Sequence, residues 1–134
     1  MTLRTAIAIR NAELDAGPGT QADNGYIRIY SGGGPAHPED APTGTLLAEL
    51  RFGADAFPAA AAGVLTANAI TPDAAADNTG TAGWFRTLKS DGSTPIFDGS
   101  VTAIGGGGDC QLDNINIQAG ADVVIDSLTY SLPE

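Results

Sequence analysis

Cysteine is nearly absent: Cys110 stands alone in 134 residues, so no internal disulfide can form and no second thiol is present for a zinc site. A buried, inert thiol is the expected state of Cys110. Histidine is just as scarce, with His37 the only one, and Trp84 is the only tryptophan. Positive charge is short as well, 6 Lys and Arg against 16 Asp and Glu, a formal net charge of −10. An exterior this acidic repels phosphate backbones and anionic headgroups, which argues against nucleic-acid binding and against a polybasic membrane contact. No apolar run approaches the roughly 20 residues that span a bilayer. Met1 is followed by Thr2, Leu3, Arg4 and an alternating pattern, not by a charged n-region and an apolar h-region. A secretory signal is therefore not expected, and synthesis in the cytoplasm is.

Glycine, by contrast, is abundant at 18 residues, and much of the apolar content is alanine. Small side chains and many turns predict thin layers of short strands. One domain over residues 1–134 is expected, since a chain of this length supports a single core. Period-two alternation of apolar and polar residues recurs in short segments broken by Gly, Pro, Asn and Asp. "LRTAIAIR" would place Leu3, Thr5, Ile7 and Ile9 on one face of a first strand. "YIRIY" sets Ile27 and Ile29 against Tyr26, Arg28 and Tyr30, and "LLAELRF" points Leu46, Ala48, Leu50 and Phe52 inward with Glu49 and Arg51 outside.

"GVLTANAI" reads as a weaker strand after "AFPAAAAG", where a helical turn is the other reading. The loop "SGGGPAHPEDAPTG", with three Pro and four Gly, is excluded from a central strand.

Around "SDGST" the Asp-Gly pair predicts a hairpin between two alternating runs. Phe85, Thr87, Phe97, Gly99 and Val101 are assigned inward, and Trp84, Arg86, Ile96, Asp98 and Ser100 outward, because burying Arg86 without a partner would be costly. Apolar parity switches within "CQLDNINI" and again between Ile125 and Leu128, as bulges would produce. The fold class expected from about eight short strands is all-β: a single-domain antiparallel β-sandwich, jelly-roll-like.

Chemistry is sparse. His37 lies in "GPAHPED", beside Glu39 and Asp40 but without a nucleophile placed by sequence, so no catalytic residue is assigned and the chain is expected not to be an enzyme. Asp73 with Asp77, or Asp109 with Asp113, could offer hard oxygen ligands to calcium, but none fits a spaced calcium loop, and Asp is also an ordinary turn former. No metal or cofactor is assigned. The runs "SGGGP" and "GGGGDC" lack the Lys and the Ser or Thr of a phosphate loop. What remains is a candidate interface of Trp84 and Arg86 with Tyr26, Arg28 and Tyr30. Aromatics and arginine on one strand face suit a protein hot spot, a sugar-stacking platform, or no more than an arginine resting on a surface tryptophan.

The succession "TGTLLAEL", "GVLTANAITPDAAADNTGTAGWFRTLKSDGSTPIFDGSV" and "DCQLDNINIQAGADVVIDSLTYSLPE", roughly Thr43 to Glu134, resembles the small all-β virion proteins encoded in the structural gene clusters of tailed phages. That resemblance implies a capsid decoration or cement protein on the virion surface. Its partner would be the major capsid protein, and it would act as a homo-oligomer, a dimer or trimer. The resemblance brings no catalytic residue with it. A tail or baseplate accessory protein, a carbohydrate-binding module and a calcium-dependent adhesin remain as alternatives.

Overall fold

The computed structural model describes residues 1–132. Two helices, α1 (Ile7–Ala16) and α2 (Pro18–Gln21), precede nine strands: β1 (Tyr26–Ser31), β2 (Leu46–Phe52), β3 (Val64–Thr66), β4 (Ile70–Thr71), β5 (Gly80–Leu88), β6 (Pro95–Ala103), β7 (Cys110–Leu112), β8 (Asn116–Ile117) and β9 (Ile125–Ser131). The strands hydrogen-bond in the order β3-β9-β7-β6-β5-β1-β2-β4, and β8 pairs with the start of β5. The outermost strands of that order, β3 and β4, are separated in sequence only by Ala67, Asn68 and Ala69. So short a link reaches no more than about 14 Å, so the sheet must curl until its two edges nearly meet. The side chains inside the curl form one cluster, with Ile27, Ile29, Leu50 and Phe85 from one half and Leu65, Leu112 and Leu128 from the other.

This differs from the expected antiparallel jelly-roll sandwich in two respects. The protein is mostly β, but as one curled sheet and not clearly two stacked ones, and the sheet is mixed because β6 and β7 run parallel. Parallel neighbours ordinarily need a crossover of a dozen residues. Here the link is only Ile104 to Asp109, and its four glycines make that possible. The chain doubles back over Thr102 so closely that a Cβ on Gly106 or Gly108 would lie 2.7 or 2.8 Å from the threonine hydroxyl. That hydroxyl accepts the Gly108 N–H at 3.0 Å.

The first expected strand is also absent. Residues 7–16 are helical, because "RNAELDA" continues the run with good helix formers. Leu14 anchors the helix in the core, Arg10 donates to the carbonyls of Thr5 and Leu132, and the Asn11 side chain accepts the Gly63 N–H. Ile7 and Ile9, the residues that made the alternation convincing, stay exposed. The alanine-rich stretch 56–63 forms no helix; Ala56 and Phe57 plug the core beneath it.

Other readings correspond closely. β1 and β2 bury Ile27, Ile29, Ala48, Leu50 and Phe52, while Arg51 is exposed; Leu46, expected inward, is only half-buried, because the register shifts by one residue after Ile29 and Leu47 is buried in its place. In the hairpin, Phe85 faces Gly99 and Thr87 faces Phe97 on the inner side, and Arg86 faces Asp98 on the outer. The turn is held by Asp91, whose carboxylate accepts the N–H groups of Ser93 and Thr94 and the Thr94 hydroxyl, which pulls its pKa down to about 2.

The parity switch near Asp113 is a break between β7 and β8, not a bulge. That between Ile125 and Leu128 is a bulge: Leu112 pairs with Ile125 and Gln111 with Ser127, leaving Asp126 unmatched. Among the described residues no helix is long and apolar enough to cross a membrane.

Candidate functional site

The outer face of β2-β1-β5-β6 carries one row of four charges. Strand register puts Glu49 beside Arg28, Arg28 beside Arg86, and Arg86 beside Asp98. Two arginines directly opposite each other repel. Each is drawn outward by its own acid: Arg28 Nε donates to Glu49 Oε2 at 2.7 Å, and Arg86 grips Asp98 with two parallel bonds, Nε to Oδ1 at 2.7 Å and Nη2 to Oδ2 at 2.9 Å. The hydrogen bond to Asp98 holds the Arg86 pKa above its ordinary value, against the opposing effect of burial. Above this row Tyr30 and Trp84 stack with ring centroids 4.6 Å apart and planes 14° from parallel. Below it Arg51 lies over the Tyr26 ring at 4.0 Å.

All five residues of the candidate interface therefore share one face, yet that face is not open. Trp84 is 3% exposed, Arg86 5% and Tyr30 6%. Tyr26 and Arg28 are half-buried. The cover is the glycine- and proline-rich loop between β1 and β2, which crosses the face as a strap. Gly34 lies over the indole, where a Cβ would come within 3.2 Å of the Trp84 ring, and the Gly32 carbonyl sits where a Cβ on Gly83 would be, 2.0 Å away. Further along, the Asp40 carbonyl accepts Arg86 Nη1 at 2.8 Å. Only residues without side chains let strap and strand approach this closely. Trp84 Nε1, buried under the strap, has no hydrogen-bond partner.

Placing Arg86 and Trp84 on the outward side was right about strand parity and wrong about exposure. The penalty for a buried guanidinium is offset by Asp98 and Asp40, two partners the sequence reading did not assign. Asp98 was legible: it lies on the same face as Arg86, directly across a predicted Asp-Gly hairpin. The Asp40 carbonyl had no signal, because it depends on the path of a long loop.

His37 is exposed in the strap, and its backbone N–H donates to the Asp40 carboxylate. Asp73 and Asp77 do not converge. The Asp73 carboxylate accepts the N–H groups of Glu49 and Ala75, while the backbone of Asp77 donates to Leu47. Asp109 binds the N–H and hydroxyl of Ser100, and Asp113 is exposed. Among the described residues no three His, Cys, Asp or Glu side chains gather as a metal-binding group.

Cys110 is fully buried, and burial, with a smaller effect from Asp109, pushes its thiol up to about 12. It should stay unmodified by a thiol reagent at mildly alkaline pH while the protein is folded, and react completely once denaturant is added. Reaction of the native protein at the rate of a free thiol would show that the core around Cys110 opens.

No family model, curated protein or solved structure matches the chain.

Proposed function

We propose that the chain is a non-enzymatic structural protein of the tailed-phage virion, of the decoration type, which attaches to the shell built by the major capsid protein. The observation that carries this reading is the distribution of apolar side chains. The aromatic and arginine-rich face is consumed by the protein's own strap, whereas Leu3, Ile7 and Ile9 stand 86%, 49% and 54% exposed along the amino-terminal arm and α1. Bare apolar side chains gathered in one short segment of an otherwise acidic chain suit a region that another protein covers. The two isoleucines project from a helix pinned to the body through Arg10, Asn11 and Leu14; two residues apart, they point to different sides of it, so a partner that covers both must wrap the start of α1. The sequence resemblance supplies the class of partner. The bare apolar side chains of the arm and α1 favour that region as the docking place.

The test is co-sedimentation with shells assembled from the major capsid protein of the phage that carries this gene. The native chain should pellet with shells, and a variant with Ile7→Asp and Ile9→Asp should bind about tenfold more weakly or worse, a loss of at least ~1.4 kcal/mol. Binding to purified tails instead of shells would move the protein to the tail. Unchanged binding by the variant would exclude α1 as the docking face.

A further inference from the structure

The sheet contains an unfilled strand position. β6 runs from Pro95 to Ala103, but its neighbour β7 covers only Val101–Ala103. On the other side of β7, β9 is matched from Ile125 to Leu128 and then continues to Ser131. Because β7 begins at Cys110, β6 and β9 run on past it with no strand between them. Strands flanking a third stand roughly 10 Å apart. The space left is a slot of about 210 Å³ lined by Phe97, Asp98 and Gly99 on one wall, Thr129, Tyr130 and Ser131 on the other, and Asp109 at the closed end.

The walls are ready to form ladder bonds. On β6 the Ser100 N–H donates to Asp109, on the β7 side. Backbone groups of successive strand residues alternate in direction, so Asp98, two residues back, also turns its N–H and C=O into the slot. On β9 the Thr129 N–H reaches the Asp109 carbonyl, whereas the Leu128 carbonyl accepts Ala67 N–H on the opposite side. Thr129 and Ser131 therefore face the slot. Across it the rings of Phe97 and Tyr130 meet at a centroid distance of 4.6 Å.

One segment of the chain has the complementary features. Met1–Arg4 alternates apolar and polar residues, Met1–Ala6 forms no strand, and Met1 and Leu3 are almost fully exposed. Residues 1–12 hold Arg4 and Arg10 and no acid, in an otherwise acidic chain. The slot is lined by Asp98 and Asp109, of opposite charge to the arm. The arm leaves the body near the end of β9, on the side that pairs with β3: the Thr5 carbonyl accepts from Arg10, and Arg10 also donates to the Leu132 carbonyl, one residue beyond Ser131. Yet it lies outside its own slot.

We propose that the arm Met1–Ala6 of one copy inserts as a strand into the slot between β6 and β9 of a second copy, and receives that copy's arm in return. A two-fold axis beside the two slot mouths makes the exchange reciprocal, and strand addition supplies main-chain hydrogen bonds on both sides of the inserted segment. The dimer stands on the slot and the arm alone and does not depend on attachment to a shell.

The decisive experiment is a full-length variant with Leu3→Cys and Ser131→Cys, oxidised gently and run on a non-reducing gel beside each single variant. Exchange gives a covalent dimer in the double variant. A bond within one chain, or no bond between these positions, overturns the proposal. Independently, removal of residues 1–4 should raise the dimer dissociation constant at least about tenfold in sedimentation equilibrium, with the β signature in circular dichroism unchanged. A full-length chain that stays monomeric at all concentrations, or a dimer indifferent to the truncation, also overturns it. Shell binding is read in a different assay through Ile7 and Ile9, so the two proposals fail separately.

Discussion

Replacing Asp98 by Ala is expected to lower the unfolding free energy by about 3–5 kcal/mol, the usual cost of stranding one member of a buried ion pair. Arg86 is 5% exposed and makes both of its charge-assisted bonds to this one carboxylate, so the variant keeps only the Asp40 carbonyl as a partner. For a domain whose whole stability is of the order of 5–15 kcal/mol, that is a large share. Chemical denaturation followed by circular dichroism measures the loss. Trp84, next to Arg86 on the same strand and under the same strap, reports on the site by fluorescence, and its emission should shift to the red if the stranded guanidinium lifts the strap. Replacing Arg86 and Asp98 together by Met and Leu should recover most of the loss, because a dry pair of similar volume no longer has a charge to desolvate. An Asp98→Ala cost below about 1 kcal/mol would mean that the guanidinium escapes to water and that the strap is not a fixed cover.

Phe85→Ala is expected to cost a similar amount, about 3–5 kcal/mol, through the lost transfer energy of the ring and the cavity left behind. Phe85 is fully buried at the centre of the sheet and meets Phe97 edge-on with centroids 5.8 Å apart. Its ring also dictates the residue opposite. A Cβ on Gly99 would lie 2.5 Å from the Phe85 ring, which is fully buried. Gly99→Ala alone should therefore destabilise the protein by about 1–3 kcal/mol through overpacking. In the Phe85→Ala background the same substitution should cost little, since its clash partner is gone. A double-mutant cycle isolates that coupling. Additive effects would show that the limit is set by another neighbour, such as the Asp109 carboxylate 3.1 Å from that Cβ, and not by the ring.

Both expectations rest on a hairpin whose parity could be read directly along the chain. A strand shows its inward face through alternation, and an Asp-Gly turn between two alternating runs sets which residues oppose each other. Hence the inner row of Phe85, Thr87, Phe97 and Val101, and the burial of Ile27, Ile29, Leu50 and Phe52, follow from local pattern. The acidic excess, the single inert cysteine and the rarity of groups for proton transfer are composition alone.

Three features could not be read that way, each because the deciding contact is distant in sequence. Residues 3–10 alternate as a strand would, but a strand exists only if a sheet edge accepts it. Here α1 forms instead, tied down by Leu14 and by Arg10 reaching Leu132. The four-glycine run before Cys110 looked like a plain turn; that it returns the chain parallel to β6 depends on its fit over Thr102. Outward-facing Trp84 and Arg86 became buried because a loop some fifty residues earlier lies across them, and a glycine-rich segment carries no hydrophobic pattern to reveal which surface it will cover. Alternation and composition determined the β content, the inner faces and the acidic exterior. Tertiary structure decided which outer face is sealed, which strand position is left empty and which apolar stretch stays bare, because backbone packing and sheet closure join residues that no local period relates.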